Sequence, residues 1–414
     1  MIKLSTIKNV IGRMIIDSRG NPTVEAEVYI ANGIYGRAAV PSGASTGSKE
    51  ALELRDNATL FHGLGVEKAL KNVNLIKDSV IGLESSNQLL VDNTMLNLDG
   101  TTNKSNLGAN AILAVSLANL QATAKENGVP LYKYLGGCKI PRPMMNIING
   151  GAHANNALSV QEFMIVPKGE SFKDIMSKSV TVFGTLKMIL KEKNQSTNVG
   201  DEGGFAPNLS GTEEALDLII EAINRSNYKS GVDFELALDI AASEFYDENN
   251  KIYNLDGRQY TTDELLKYYE VLVEKYPIIS LEDPFAENDY EGFQKITALL
   301  GSKIMIVGDD LFVTNEELLK QGIINNQANA ILIKPNQIGS YSEMLNTIKL
   351  AKAHNFKTII SHRSGETEDT IISHFGVGLE TDFIKTGSLS RSERVAKYNE
   401  LLRIEEELKR GDRG

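Results

Sequence analysis

Short apolar runs recur in the second part of the chain, and each run ends abruptly at a charged or polar residue. From the second run onward the ends are about 25 residues apart, and stretches of helical periodicity lie between them. A repeat of this length that alternates strand and helix is a βα unit. The runs and the residues that end them are 236–238 before Asp239, 278–281 before Glu282, 304–308 before Asp309, 330–333 before Lys334, 359–360 before Ser361 and 383–384 before Lys385.

Several βα units in series predict a closed parallel barrel. The active site of such a barrel lies at the carboxyl ends of its strands, which is where the charged residues of this series fall. Three pairs with the spacing of a capping box predict where helices of the barrel begin. They are Thr261 with Glu264, Thr314 with Glu317, and Ser340 with Glu343.

The first third of the chain has a different pattern. Residues 23–30 alternate, with Val24, Ala26, Val28 and Ile30 on one face and polar residues or Tyr29 on the other. This period of two predicts a half-buried strand. A helix is predicted over 110–127, because Lys125, Gly128 and Pro130 supply its stop signals. We therefore expect an α/β protein with a smaller N-terminal α+β domain, residues 1–135, ahead of a catalytic barrel domain, residues 136–414.

Composition narrows the class of protein. There are 43 Lys and Arg against 54 Asp and Glu, giving a net charge of −11, which disfavours binding to nucleic acid or to an anionic membrane. Cys138 is the single cysteine, so an internal disulfide is excluded and a reducing, cytoplasmic location is expected. The sequence has no run of 18 apolar residues and no signal-peptide pattern at its start.

Three acids end barrel strands and should meet at one rim. Asp239, Glu282 and Asp309 would repel one another unless a cation neutralised them, and an all-oxygen site suits Mg²⁺. The alternative is that each acid caps a helix or pairs with a surface base. Lys334 follows the next strand, and nearby cations with partial burial would lower its pKa and make it a usable base. Spacing alone equally allows a structural lysine that neutralises Asp309 or Glu282.

The last two strands bring cations to the rim. Arg363 offers a planar fork suited to phosphate or carboxylate, and Ser361 to Ser364 with Lys385 complete an anion-binding half. The predicted substrate therefore carries an anionic group and a carbon acid. Three glycine-rich segments supply further candidates, although each also reads as an ordinary surface turn. They are 200–204 with the carboxylate of Glu202, 150–153 with His153, and the loop 41–47 as a lid.

Taken together, these motifs resemble the enolase family. They include Ser-Gly-Ala-Ser-Thr-Gly at 42–47, Gly-Asp-Glu-Gly-Gly at 200–204 and Lys-Thr-Gly at 385–387. Further matching segments extend nearly from end to end, at 18–25, 108–111, 149–153, 161–164, 280–284, 308–310, 334–339 and 361–369. The resemblance implies an N-terminal α+β domain on a barrel that begins with an irregular ββαα unit. It also implies reversible dehydration of 2-phospho-D-glycerate to phosphoenolpyruvate, a step of glycolysis and gluconeogenesis.

The resemblance also implies a role for each site residue. Lys334 would remove the C2 proton, and Glu202, assisted by Glu162, would protonate the departing C3 hydroxyl. A first Mg²⁺ would be held by Asp239, Glu282 and Asp309, and a second would arrive with substrate and be ligated by Ser45. His153 would also be catalytic. The contacts to substrate would come from His153, Gln161, His362, Arg363, Ser364 and Lys385, together with Glu162, Glu282, Asp309 and Lys334.

Two other readings stay open. One is another lyase or isomerase of the superfamily that acts on a carbon acid without phosphate, which Arg363, Ser364 and the Ser45 loop disfavour. The other is a catalytically silent scaffold on the same fold, which would have lost Lys334, Glu202 or a metal acid; all are present. The family resemblance implies a homodimer or an octamer of dimers. Cell-surface or secreted forms and additional partners occur in the family, but no local pattern here indicates them.

Overall fold

The N-terminal part of the chain is an antiparallel sheet backed by helices. The computed structural model describes residues 5–44 and 46–411, so Ser45 lies outside the described residues. Strands β1 (Ile7–Ile16), β2 (Pro22–Ile30) and β3 (Tyr35–Ala39) pair in that order. The helices that follow are α1 (Glu67–Val80), α2 (Gln88–Asp99), α3 (Ala109–Glu126) and α4 (Leu131–Leu135). The predicted helix over 110–127 is thus confirmed as α3.

The expectation of a half-buried β2 was wrong. The polar face of the strand is buried as well as the apolar face, including Glu25 and Glu27. Arg13 lies 2.5 Å from Glu25 and 2.8 Å from Glu27, and Arg37 lies 2.6 Å from Glu27. Because arginines on both neighbouring strands cover these acids, a polar residue in the alternation does not mark exposure here.

The first prediction concerns the close contact between β3 and α3. A Cβ on Gly36 would lie 2.0 Å from Ala118 O and 2.3 Å from Ala122 N, so the helix backbone itself would have to move. We expect Gly36→Ala to cost about 1–3 kcal/mol of stability. The matched control is Gly184→Ala, where a Cβ meets nothing within 4 Å and the helix should gain about 0.5–1 kcal/mol. Urea unfolding of both variants checks the opposite signs, and equal midpoints would contradict the packing argument.

The second part of the chain forms a closed eight-stranded barrel. Its strands, in order around the barrel, are β10, β11, β12, β13, β14, β4, β5 and β6, with bounds β4 (Arg142–Asn149), β5 (Glu162–Pro167), β6 (Phe234–Asp239), β10 (Ile278–Glu282), β11 (Met305–Gly308), β12 (Ala330–Ile333), β13 (Lys357–Ser361) and β14 (Phe383–Lys385). A small sheet outside the barrel consists of β7 (Tyr246–Asp247), β8 (Ile252–Leu255) and β9 (Arg258–Tyr260).

Helices surround the barrel. They are α5 (Phe172–Glu192), α6 (Thr212–Arg225), α7 (Thr262–Lys275), α8 (Tyr290–Leu300), α9 (Glu316–Ile324), α10 (Pro335–Ile338), α11 (Tyr341–Ala353), α12 (Ile371–Gly378) and α13 (Ser392–Gly411). In the part of the chain that the structure describes, no helix is both long and apolar enough to cross a membrane.

The barrel starts irregularly, as the resemblance implied. Strand β5 is antiparallel to both β4 and β6, and two helices, α5 and α6, separate β5 from β6. The remaining strands are parallel to their neighbours. The predicted α/β barrel with a smaller N-terminal α+β part is therefore confirmed. The domain boundary at residues 135 and 136 stays a prediction, because α3 and α4 both pack against barrel helices.

Two of the three predicted helix starts are correct. Thr261 and Ser340 accept hydrogen bonds from the backbone N–H groups of Glu264 and Glu343 at the starts of α7 and α11. Thr314 does not cap α9, which begins after Asn315 instead. The backbone of Thr314 is left-handed, with φ at 56°, and its hydroxyl accepts a hydrogen bond from Lys334 N at 2.8 Å. The threonine thus supports the neighbouring strand end rather than the helix.

Candidate active site

The barrel topology brings the predicted charged residues to one rim. Asp239 and Glu282 are the last residues of β6 and β10 and lie opposite each other in register. Lys385 ends β14, while Asp309 and Lys334 directly follow β11 and β12. Because the carboxyl ends of parallel strands meet at one side of a barrel, the regular spacing of the apolar runs becomes a ring of charge.

Glu162 reaches the same rim by a different route. It is the first residue of β5, and β5 runs antiparallel to its neighbours, so its amino end lies where their carboxyl ends lie. In register it faces Asp239 on β6 and Asn149 on β4. The inverted strand therefore adds one more buried carboxylate to the rim.

The ammonium of Lys385 is the common partner of three buried acids. Its Nζ lies 2.9 Å from Asp239 Oδ2, 2.8 Å from Glu282 Oε1 and 3.1 Å from Glu162 Oε1. Burial alone would lower the pKa of Lys385, but these carboxylates outweigh burial and raise it well above its usual value. Lys385 is therefore a fixed positive charge, and the acids around it converge on a single cation position.

Lys334 forms an ion pair with Asp309, and its pKa is not lowered. Its Nζ lies 2.5 Å from Asp309 Oδ2, and Gln337 Nε2 donates to the other oxygen of Asp309 at 2.9 Å. Burial works to lower the pKa of Lys334, as do Arg363 and Lys385, but the attraction of Asp309 prevails and the pKa is raised. The expected lowering of the pKa was thus wrong for these contacts, in which Lys334 is paired with Asp309.

The opposite wall of the site holds a second group of titratable side chains. His153 Nδ1 lies 3.5 Å from Glu202 Oε1 and 3.7 Å from Glu162 Oε1, and all three residues are buried. His362 Nε2 lies 3.3 Å from Glu202 Oε1 on the other side. Asn146 Nδ2 donates to Glu202 Oε2 at 3.0 Å.

The pKa values of the two carboxyl groups on this wall are shifted in opposite directions. Burial and the nearby charge of Glu202 raise the pKa of Glu162 well above its usual range. Burial also opposes ionisation of Glu202, but the facing His153 and His362 hold its pKa well below the usual range. Burial lowers the pKa of His362 to about 4, so its ring is neutral near pH 7. The pKa values of these two neighbouring carboxyl groups are therefore shifted in opposite directions.

The predicted anion-binding residues Arg363 and Ser364 contact residues 44–50 of the N-terminal part of the chain. Arg363 forms a two-pronged pair with Glu50, with Nη1 and Nη2 each 3.0 Å from one carboxylate oxygen. Ser364 Oγ accepts a hydrogen bond from Ala44 N at 2.6 Å. An anionic substrate group at Arg363 would therefore have to share or displace Glu50, a contact that the sequence did not indicate.

Most of the predicted residues line one narrow cavity with a free volume of about 20 Å³. Glu282 and Asp309 are absent from its lining, because their oxygens are turned to Lys385 and Lys334. Gln161 Nε2 is 3.4 Å from Asp239 Oδ2. The residues that line the cavity are His153, Gln161, Glu162, Glu202, Asp239, Lys334, Ser361, His362, Arg363, Ser364 and Lys385.

Buried acids at the rim indicate metal binding. Among the described residues, two groups bring their donor atoms within 4.8 Å of one another: His153 with Glu162 and Glu202, and Asp283 with Asp309 and Asp310. The predicted trio Asp239, Glu282 and Asp309 is not one of these groups. Its oxygens nevertheless form an all-oxygen set already turned toward cationic nitrogens, which fits the chemistry of a hard divalent cation.

Sequence reasoning missed several supporting residues. Asp283 accepts hydrogen bonds from the backbone N–H groups of Asp309 and Asp310, at 2.9 and 2.7 Å, and so ties two strand ends together. Arg394, on α13, contacts His362 and three backbone carbonyl groups beneath the rim. The one available signal for Asp283 was its place next to Glu282, and nothing local distinguished Arg394 or Glu50.

The fold and the site define a class: a barrel enzyme with a buried acid–base site at the carboxyl ends of its strands. Comparison with family models then gives the family. The enolase N-terminal domain matches residues 7–135, and the enolase C-terminal TIM barrel domain matches residues 138–413. The chain therefore belongs to the enolase family. It is an enzyme of the enolase superfamily, of the lyase type.

Proposed function

We propose that the protein catalyses the Mg²⁺-dependent, reversible dehydration of 2-phospho-D-glycerate to phosphoenolpyruvate and water. One observation carries the proposal: Lys334 and the Glu202–Glu162 pair line the same small cavity, together with the cations Arg363 and Lys385. Elimination of water needs a base for one carbon and an acid for the oxygen on the next. The family assignment supports the same reaction.

Lys334 is proposed as the base that takes the C2 proton. A base needs a free electron pair, so the lysine must release its proton to act, and the short contact with Asp309 opposes this. Binding of a cation to Asp309 would weaken that attraction and lower the pKa of Lys334. The protonation state of Lys334 thus depends on whether Asp309 holds a cation.

Glu202 is proposed as the group that protonates the departing C3 hydroxyl. The pKa of Glu202 is lowered, that of the neighbouring Glu162 is raised, and both carboxyl groups face His153 Nδ1. We propose that Glu162 supplies the proton and Glu202 delivers it. This keeps the acid on the wall opposite Lys334, so the base and the acid do not neutralise each other.

Lys385 is proposed to stabilise negative charge that develops on the substrate carboxylate. It is buried and held by three acids, so it needs no reorganisation during the reaction. Bound Mg²⁺ would supply further positive charge for the enediolate. Asp239, Glu282 and Asp309 are the proposed residues for the first ion. Ser45, which lies outside the described residues, is proposed for the second.

The remaining pocket residues are proposed to fit a phosphorylated substrate. Arg363 and Ser364 would hold the phosphate, and His153, Gln161 and His362 would complete the pocket around the carbon chain. A homodimer or an octamer of dimers, and a cytoplasmic location, are proposed from the family alone.

The second prediction tests the reaction and its metal requirement. Mixing the protein with 2-phosphoglycerate and Mg²⁺ should give a rise in ultraviolet absorbance, because the enol phosphate absorbs where the substrate does not. A chelator should abolish the rise, and excess Mg²⁺ should restore it. A folded protein with Mg²⁺ that gives no rise would contradict the proposal. Non-phosphorylated carbon acids would then be tested for exchange of the hydrogen next to the carboxylate in deuterated buffer. If none of them exchanged, a catalytically silent scaffold would be favoured.

A further inference from the structure

Arg394 is a fully buried cation beneath the rim, on the first turn of α13. It does not line the cavity, and it does not contact the cluster around Lys385. A buried guanidinium is costly unless its N–H groups are used. The contacts of its N–H groups therefore indicate the function of Arg394.

The guanidinium joins two segments that carry residues of the proposed acid half. Its Nη1 lies 2.5 Å from Arg363 O and 2.5 Å from His362 Nδ1. Its Nη2 donates to Ser364 O at 2.5 Å and to Asp201 O at 3.2 Å. The segment that presents Glu202 and the segment that follows β13 are thus fastened to one helix by one side chain.

The contact with His362 determines the tautomer of the ring. A guanidinium has N–H donors and no acceptor, so His362 Nδ1 must accept from it. The proton of the neutral imidazole then resides on Nε2, the atom that lies 3.3 Å from Glu202 Oε1. His362 Nε2 makes no aligned hydrogen bond in this structure, but such contacts are often poorly aligned before substrate binds and tighten when it does. With Asn146 donating to Oε2, both oxygens of Glu202 face a donor.

We propose that Arg394 is a positioning residue for departure of the hydroxyl: it holds His362 as an Nε2–H donor that orients Glu202. The inference rests on the proposed function. In that reaction the C2–H bond breaks first, and its electron pair is held as the enediolate; in a second step the pair forms the C2–C3 double bond as the C3–O bond breaks. The hydroxyl takes a proton from the acid half and leaves as water. Removal of the C2 proton by Lys334 uses none of these contacts.

The two halves of the reaction can be measured separately. In deuterated buffer, exchange of the C2 hydrogen of 2-phosphoglycerate reports proton removal, and formation of phosphoenolpyruvate reports hydroxyl departure. For Arg394→Lys, which keeps the charge but not the planar fork, we expect dehydration to fall by roughly 10²-fold and exchange to fall by less than about threefold. Equal losses in both rates, or no loss in either, would overturn the proposal.

Two variants on the same helix separate this role from structural support. Lys397 is also fully buried, and its Nζ lies 2.8 Å from Glu366 and 2.7 Å from the carbonyl oxygen of Thr367, without touching a histidine. Lys397→Met should lower stability without changing the ratio of exchange to dehydration. Arg403→Gln alters an exposed position and should change neither rate. A ratio that shifts in Lys397→Met as much as in Arg394→Lys would assign the effect to α13 packing and overturn the proposal.

A second measurement needs no variant and no substrate. Nitrogen-15 spectra of the histidine rings in the unsubstituted protein should show His362 neutral, with its proton on Nε2. A proton on Nδ1 would reject the role of Arg394 even if the enzyme is active. Absence of turnover with the expected tautomer would instead reject the proposed function, so the two failures are distinguishable.

Discussion

Replacing Lys334 by alanine is expected to lower the rate of dehydration by a factor of roughly 10³, within the range that a positioned base contributes. The lysine is the cavity-lining amine on the wall opposite Glu202, and among the described residues that line the cavity the one other amine is Lys385. Lys385 is held by three carboxylates with a strongly raised pKa, so it cannot replace Lys334 as a base. The measurement is the ultraviolet assay at saturating substrate and Mg²⁺.

A second substitution separates the base from the counter-charge. Alanine removes the partner of Asp309 as well as the amine, whereas Lys334→Arg keeps a positive charge near Asp309 and cannot act as a base at neutral pH. We expect Lys334→Arg to be as inactive as the alanine variant but to retain more stability. Lys349→Ala, on the exposed side of α11, is the control and should be fully active. A Lys334→Arg variant with native activity would rule out Lys334 as the base.

Replacing Lys385 by methionine is expected to cost about 3–5 kcal/mol of stability, because the variant leaves buried carboxylates without their cation. Asp239, Glu282 and Glu162 all lie within 3.1 Å of the Lys385 ammonium, and all are buried. Urea unfolding at neutral pH measures the loss. The matched control is Lys357→Met, whose pair with Asp382 is largely exposed and should contribute at most about 1 kcal/mol.

Magnesium should act differently on the variant and on the unsubstituted protein. If the acids around Lys385 form a cation site, Mg²⁺ can partly replace the missing charge in Lys385→Met. The gain in unfolding midpoint on adding Mg²⁺ should then be larger in that variant than in Lys357→Met. An equal gain in both variants would argue against Asp239 and Glu282 as ligands. Activity should be lost in Lys385→Met at all Mg²⁺ concentrations, because an ion cannot replace the ammonium near the substrate carboxylate.

Much of the barrel was predictable from local pattern. The apolar runs and their abrupt polar ends predicted which residues would share a rim. The structure places Asp239 opposite Glu282, and Lys385 opposite Ser361, at the ends of paired strands. This works because buried parallel strands are continuous apolar runs in the sequence. Parallel topology then brings the carboxyl ends of all these strands to the same side of the barrel. The same logic could not find Glu162, since its strand is inverted and its position was implied only by family resemblance.

Predictions of charge state depended on partners that local sequence does not contain. The pKa of Lys334 was expected to be lowered, but Asp309, 25 residues away along the chain, reverses the direction. Arg363 was expected to face an anionic ligand, but Glu50 forms a two-pronged pair with it. In both cases a long-range ion pair in a buried site outweighs the effect of burial itself.

By itself, the sequence determined the fold class, the strand ends that form the rim, and the kinds of side chain available there. Hydrophobic periodicity and glycine-rich turns carry that information because they act over a few residues. Only the tertiary structure decided which charges meet, such as Lys385 with three acids and Arg394 with His362. Those pairings depend on closure of the barrel and on desolvation of its rim, where electrostatic interactions between residues far apart in sequence become strong.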